Sequence, residues 1–438
     1  MLELCMSSSA ALPDLDNITI GIVGLGYVGL PLAVEFGKGR HTLGFDINAA
    51  RIAELRTGYD NTGETTTNDL AAAKYLTFSG DLANLAACNV YIIAVPTPID
   101  QHHQPNLHPL ISASETVGKV IKSGDIVIYE STVYPGATEE DCLPVVEKVS
   151  GLIFNRDFYA GYSPERINPG DKERPLTKIV KVTSGSTPAV ADLVDTLYKS
   201  IITAGTFKAA SMQVAEASKV IENTQRDVNI ALINELSIIF SHLDIDTTDV
   251  LAAAATKWNF MHLSPGLVGG HCIGVDPYYL MHKSMSVGHI PDIIRQSREI
   301  NDGMPRHAAS QLVKTMIGKG HKIKDARVLM LGFTFKENCP DIRNTKMIDL
   351  VKALEGYSMQ VDICDSWANP TEVQSEYGRD IITSLPDEAA TYDAIILSVA
   401  HREFVADGAQ TLRARMTPDG VLFDMKAVFD RAESDLRL

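Results

Sequence analysis

The sequence predicts an α/β protein: two parallel-sheet domains joined by a long central helix and a helical middle domain. Three observations lead there. Short β-branched runs alternate with helical stretches from Ile18 to about Gly205. The stretch from about Ser211 to Leu243 contains neither Gly nor Pro, and a second alternating set begins near residue 325. At 438 residues the chain also exceeds what one core holds, since single cores stop growing near ~250–300 residues.

The strand candidates of the first set are ITIGIV (18–23), HTLGFD (41–46), VYIIAV (90–95), DIVIYES (125–131) and IVKVTSG (179–185). Continuous apolar strands separated by helices argue for a parallel sheet covered on both faces. The central stretch, at 1.5 Å per residue, makes a rod of roughly 50 Å, long enough to bridge domains and pair subunits. Helix is expected to continue to about residue 310. The second set reads ARVLMLG (326–332), MQVDICD (359–365), DAIILSV (393–399) and VLFD (421–424). The expected organisation is therefore a flexible tail at 1–17, an α/β domain at 18–210, a helical and dimerisation domain at 211–310, and a second α/β domain at 311–438.

With 45% hydrophobic and 21% charged residues the composition is that of an ordinary globular protein. A formal charge of −16 argues against nucleic acid or an anionic membrane as partner. An anionic small ligand stays admissible, because local cations outweigh the global field within a Debye length of ~8–10 Å. The six cysteines (5, 88, 142, 272, 339, 364) form no C-x-x-C pair and no zinc spacing, so neither disulfides nor a metal are expected. The first residues lack a basic segment followed by an apolar core, and no apolar run approaches ~18 residues. A cytoplasmic location and no membrane partner are the expectation.

Gly24-Leu25-Gly26-Tyr27-Val28-Gly29 follows the first strand and opens a helix. In such a turn the first glycine permits the bend and the second lets a pyrophosphate approach the backbone. The third lets helix and strand pack closely, with the helix N-terminus facing the phosphates. Asp46 ends the second strand, where a carboxylate accepts ribose hydroxyls and repels a 2′-phosphate. The turn, Tyr27 and Val28 included, together with Asp46, predicts a Rossmann-like domain that binds NAD rather than NADP; a purely structural glycine turn is the competing reading. Arg51 is either an adenosine-side contact or a solvated helix charge. Thr97 and Thr132 end strands at the carboxyl edge, where open α/β sheets bind ligands. Helix capping would equally explain both hydroxyls.

The segment Pro265-Gly-Leu-Val-Gly-Gly-His-Cys-Ile-Gly-Val-Asp-Pro277 places Cys272 in a glycine-rich loop. There a thiol is approachable, as a nucleophile needs; a packed thiol is the alternative, though buried structural cysteines usually lie on apolar elements. Asp276 comes four residues later. If a helix begins there, both groups project from one turn and the helix N-terminus favours a thiolate. His271 reads as a hydrogen-bonded structural group rather than a base. Lys219 and Asn223, spaced i, i+4, share a face of the long helix. A buried lysine with an amide beside it stabilises an oxyanion, whereas a lysine snorkelling on a wet face does nothing. Tyr162-Ser-Pro-Glu165-Arg166-Ile-Asn-Pro169 holds a carboxylate between prolines. Lys336, in Gly332-Phe-Thr-Phe-Lys336-Glu-Asn338, follows the first strand of the second set, the phosphate position of this build, with Arg343 close behind. Solvated loops are the alternative for Glu165 and Lys336.

These segments resemble the UDP-glucose/GDP-mannose dehydrogenase family. The resemblance runs from Ile18 to about Lys426 through GIVGLGYVGLPLA, ESTVYPG, GYSPERINPGD, EASKVIENTQRDVNIALINEL, PGLVGGHCIGVDP and GFTFKENCPDIRNT, in that order. TKWNF (256–260) with GHCIGVDPYYL is most similar to the UDP-N-acetylhexosamine (GlcNAc/GalNAc) 6-dehydrogenase branch, which supplies uronic acids for bacterial O-antigen and capsule polysaccharides. The resemblance implies a four-electron oxidation of a sugar C6 hydroxymethyl by two NAD, through a thiohemiacetal and thioester on Cys272. It assigns Lys219 and Asn223 to the oxyanion, Asp276 with Thr132 to water, and Glu165 to acid/base work. Arg166, Gly269 and Lys336 fall on the UDP-sugar side, Arg343 on the cofactor side, and Lys257 where a residue reaches a neighbouring subunit's site, so a homodimer or higher homo-oligomer is expected. Two positions depart: Pro169 stands where UDP-glucose members carry a second glutamate, and Lys426 where they carry an arginine. UDP-glucose 6-dehydrogenase is the alternative within the family. A two-electron β-hydroxyacid dehydrogenase is more distant, needing neither the loop cysteine nor the second α/β domain.

Overall fold

Two sheets, one mostly and one wholly parallel and each flanked by helices, carry the described residues 9–167, 173–387 and 391–438 of this computed structural model. The chain divides into two units, Met1–Glu222 with Tyr278–His289, and Asn223–Pro277 with Ile290–Leu438. Two of the three cuts fall inside helices, Met212–His242 and Asp276–Ser286, so each of these helices belongs partly to either unit; the third, after His289, lies between helices.

In the first unit the strands are β1 (Ile20–Val23), β2 (Thr42–Phe45), β3 (Leu76–Ser79), β4 (Val90–Ile93), β5 (Ile126–Tyr129), β6 (Tyr159–Tyr162), β7 (Lys181–Gly185) and β8 (Thr206–Lys208). Their order is β3-β2-β1-β4-β5-β6-β7-β8, so the strand order reverses between β1 and β4, where open α/β sheets bind ligands. Residues of β1, β2, β4, β5 and β6 are buried throughout, as strands covered on both faces must be. Helix Gly29–Gly37 packs Leu30, Leu32, Ala33, Val34 and Phe36 into this core.

Two strands depart from the expected parallel sheet: β7 pairs antiparallel with β6, Gly161 opposite Gly185, and β8 runs parallel to β7. A parallel return is usually carried by a crossover helix. Among the described residues the connection holds only the short 3₁₀ turn Leu176–Lys178. β3, β6 and β8 escaped the sequence reading because LTFS, YAGY and TFK are short and mix polar or glycine residues. Neighbouring strands, not intrinsic pattern, recruit them.

The second unit holds β9 (Arg327–Leu331), β10 (Gln360–Cys364), β11 (Tyr392–Leu397), β12 (Met416–Asp424) and β13 (Leu436–Arg437), in the order β10-β9-β11-β12-β13. All four pairings are parallel. Alternation sends Val328, Met330, Ala394 and Ile396 to a core with helices Asp292–Gly318 and Met347–Gly356. Leu329, Leu331, Ile395 and Leu397 face the other way, to Phe404 and Leu412 of helix Arg402–Arg413. The Gly- and Pro-free stretch forms one helix of 31 residues, Met212–His242. Among the described residues no helix is long and apolar enough to cross a membrane.

Candidate active site

The glycine turn after β1 shows why each glycine stands where it does. Gly24 adopts φ +94°, and a Cβ there would come 2.8 Å from the Ala94 carbonyl oxygen. A Cβ on Gly29 would fall 1.9 Å from the Gly24 carbonyl oxygen, so helix and strand meet closer than any side chain allows. Gly26 has nothing within 4 Å of its Cβ position: the cradle is open where a pyrophosphate would lie. Asp46, at the end of β2, accepts the Leu25 N–H (2.9 Å) and the Asn48 N–H (2.9 Å), so its carboxylate is set at the mouth of that turn. Tyr27 and Val28 are half-buried between the glycines. The residues present fit a dinucleotide.

Arg51 is not a solvated charge. Only 8% exposed, it donates from Nε to the Leu25 carbonyl (3.0 Å) and pairs with Asp60 and Glu54 at 2.7 Å. It braces the glycine turn from behind. Ile47, next to Asp46, is 87% exposed. Thr97 and Thr132 lie half-buried beyond β4 and β5. The helices that follow are N-capped at Leu107 and Ala137, so neither threonine is a cap.

Beyond β6, Glu165 is buried, with Oε1 accepting the N–H groups of Arg166 (2.5 Å) and Ile167. The solvated-loop reading of Glu165 therefore fails. Arg166 pairs with Glu222 (2.8 Å) and donates to the Val180 carbonyl (2.7 Å). Asn168 and Pro169 lie outside the described residues. Lys181, unremarked in the sequence, is buried with its ammonium 2.5 Å from Glu130 Oε2. Burial pushes the Glu130 carboxyl up to about 7, against the pull of Lys181 and with the help of Glu165.

On the long helix Lys219 and Asn223 are buried at 7% and 8% exposure, which excludes a snorkelling lysine. The Asn223 amide donates to Asp276 Oδ2 at 2.6 Å, and Asp276 is itself 2% exposed. Two residues 53 apart in sequence thus form one polar contact at the start of helix Asp276–Ser286.

The cysteine loop is held at both ends. Asn234 accepts the Gly266 N–H (2.8 Å) and donates to its carbonyl (3.0 Å). Gly270, at φ +85°, donates to the Asn344 carbonyl (3.2 Å), and its Cβ position is 2.9 Å from the Phe335 ring. A Cβ on Gly269 would come 2.9 Å from the same Asn344 oxygen. Glycines here let the loop lie flat on the segment that follows β9. The Cys272 carbonyl accepts the N–H groups of Val275 (3.0 Å) and Asp276 (2.9 Å), which starts the helix. Its sulfur lies 3.0 Å from His271 Nδ1, and His271 Nε2 stands 3.5 Å from Asp341 Oδ2. Burial raises the Asp341 carboxyl, but hydrogen bonds from Arg343 and His271 outweigh it and hold the group far below the usual carboxylate range. Cys272 is half-exposed, whereas Cys88, Cys142, Cys339 and Cys364 are buried. Cys272 is no packed thiol.

Arg343 is engaged with Asp341 beneath this loop (Nε to Oδ1, 2.9 Å), away from the glycine turn in sequence and in a different unit. Lys336 is half-buried with its ammonium 5.6 Å from the Phe335 ring centre, Lys426 pairs with Glu337 (3.0 Å), and Lys257 is exposed. A cavity of about 370 Å³, also missed, opens beside the start of the loop, lined by Thr248, Phe260, His262, Ser264, Pro265 and Lys426 among others. Among the described residues no cluster of His, Cys, Asp or Glu could hold a metal.

Three family domains match in chain order: the NAD binding domain of the UDP-glucose/GDP-mannose dehydrogenase family at 18–202, its central domain at 213–303, and its UDP binding domain at 329–431. The chain belongs to this family. As a member it is an NAD-dependent oxidoreductase acting on a UDP-sugar. It is 60% identical to a UDP-N-acetyl-D-glucosamine 6-dehydrogenase of Pseudomonas aeruginosa, covering 97% of this chain and 100% of that one. It is 57% identical to the enzyme of the same name from Salmonella typhi, over 97% and 99% of the two chains. Its fold matches the solved UDP-D-ManNAc dehydrogenase of Pyrococcus horikoshii with a TM-score of 0.84 at 28% identity, over 94% of this chain and 96% of that one.

Proposed function

We propose that this family member oxidises the C6 hydroxymethyl group of a UDP-N-acetylhexosamine, UDP-GlcNAc or UDP-GalNAc, to the carboxylate through a thioester on Cys272. The observation that carries the reading is the half-exposed Cys272 sulfur 3.0 Å from His271 Nδ1, next to the Asn223–Asp276 contact of 2.6 Å. Relatives named UDP-N-acetyl-D-glucosamine 6-dehydrogenase at 57–60% identity support the sugar class.

In this reading His271 takes the thiol proton, and the sulfur adds to the C6 aldehyde left by the first oxidation. The ammonium of Lys219 and the amide of Asn223 stabilise the oxyanion of the resulting thiohemiacetal. Oxidation of that adduct gives the thioester, so the aldehyde never leaves the enzyme. Asp276 and Thr132 orient the water that cleaves it, Glu165 moves the proton, and the uronate departs as the thiol is restored. NAD, when bound at Gly24, Gly26, Gly29 and Asp46, supplies acceptors for the two hydrides. Lys336 faces the UDP diphosphate, the cavity at Phe260 takes the nucleotide, and Lys257 reaches the site of a second subunit. The uronate serves bacterial surface polysaccharide, made in the cytoplasm by a homodimer or larger homo-oligomer.

The test is a panel of UDP-Glc, UDP-GlcNAc, UDP-GalNAc and UDP-ManNAc, scored by NADH formed per sugar, with Cys272→Ser alongside. Two NADH per N-acetylhexosamine, little turnover of UDP-Glc, and a variant that binds UDP-sugar but makes no uronate are expected. One NADH per sugar, or near-normal uronate from the serine variant, defeats covalent catalysis.

A further inference from the structure

The antiparallel turn of β7 has a chemical consequence. In a parallel sheet the ligand edge is reached only by strand ends, but a reversed strand brings its first residue there. β7 pairs Ser184 with Tyr162, the last residue of β6, so Lys181 runs on past β6 to the carboxyl edge. There its ammonium, with a side chain only 2% exposed, meets three elements. It lies 2.5 Å from Glu130 Oε2, just beyond β5 and two residues before Thr132. It donates to the Pro164 carbonyl at 2.9 Å and stands 3.9 Å from Glu165 Oε2. From helix Pro188–Lys199, Tyr198 presents its ring at 5.4 Å and donates its hydroxyl to Glu130.

We propose that Lys181 is a positioning residue for thioester hydrolysis: it staples the Thr132 loop to the Glu165 loop and holds its ammonium beside the outer oxygen of Glu165, the oxygen left open to accept a proton. This rests on the reading of Glu165 as the acid/base group. Glu165 Oε1 is already occupied by two backbone N–H groups, while Oε2 is buried and accepts no hydrogen bond among the described residues. A buried carboxylate oxygen left so is costly unless a cation stands near or a water comes to it. Lys181 supplies the cation without capping the oxygen, since 3.9 Å is too long for a hydrogen bond. Glu130 competes for the same ammonium. Below about neutrality Glu130, raised by burial to about 7, carries its proton, and the charge of Lys181 is left to Glu165. Among the described residues the other charged groups nearby are spent elsewhere: Arg166 on Glu222, and Asp195 on Lys199 at 2.6 Å.

The experiment is the pH profile of kcat, with the first-turnover NADH burst measured beside it, for Lys181→Met, Glu130→Gln/Lys181→Met and Glu165→Gln. Removing the cation should move the acidic limb of kcat up by about 1 pH unit and slow steady turnover more than the burst. A folded Lys181→Met enzyme with the wild-type limb and the wild-type ratio of burst to turnover overturns the proposal. Should the single variant fail to fold, the double variant, which removes Glu130 together with its buried partner, decides in the same way: a raised limb supports the role and an unmoved one overturns it. Glu165→Gln separates the two ideas. If it leaves the limb and hydrolysis intact, the acid/base reading falls and this inference with it; if it abolishes the limb while Lys181→Met does not shift it, only the role of Lys181 falls.

Discussion

A thiol serves catalysis only where its sulfur can be reached and its proton has somewhere to go. Burial pushes Cys88 up to about 11 and Cys142 and Cys364 up to about 12, so these three stay protonated and inert at neutral pH. Cys272 is half-exposed, with an imidazole at 3.0 Å backed by an aspartate. A thiol, its base and a group that orients the base form the pattern of activated nucleophiles. His271→Asn should therefore slow alkylation of Cys272 by iodoacetamide at pH 7 about tenfold and move the rate profile toward higher pH. An unchanged profile would mean that the imidazole is idle. Sequence spacing made the cysteine legible but demoted the histidine, because Asp341 lies 70 positions away and only the folded loop brings it near.

At the scale of the element, the glycine turn separates folding from binding. Gly29→Ala should press its methyl into the Gly24 carbonyl and force helix Gly29–Gly37 away from β1, costing about 1–3 kcal/mol and NAD affinity together. Gly26→Ala meets nothing, so it should melt like the parent protein while binding NAD more weakly, because the methyl fills space meant for the pyrophosphate. Thermal melting with NAD titration of the two variants checks the pair; equal losses of stability would show that the second glycine is structural too. The long helix and the continuous apolar strands were legible, since burial on both faces leaves an apolar run that no partner can disguise. The direction of β7 was not, because a strand looks the same read either way.

For the whole chain, buried acids set how stability responds to pH. Glu216 is fully buried, accepts N–H groups from Gly136 (2.5 Å) and Thr138 (3.0 Å), and is raised by burial from an ordinary 4.5 to about 7. The folded state then holds this proton more tightly than the unfolded chain. Its contribution is complete below about 4.5 and is lost as pH rises through about 7, at on the order of 1 kcal/mol per pH unit. Melting temperature should accordingly rise as pH falls from 8 to 6, and Glu216→Gln should flatten that slope. A slope as steep in the variant would assign it to other groups, Glu130 first.

Local pattern determined the fold class, the cofactor turn, the cysteine loop and the family, because each rests on residues close in sequence whose backbone needs or periodicity are written there. Tertiary structure alone decided the contact of Asn223 with Asp276, the backing of His271 by Asp341, and the burial of Lys181 between two carboxylates. These depend on which segments the sheets bring to one edge. Charge and hydrogen-bonding capacity can be read from a residue's name, but the partner that uses them is chosen by packing.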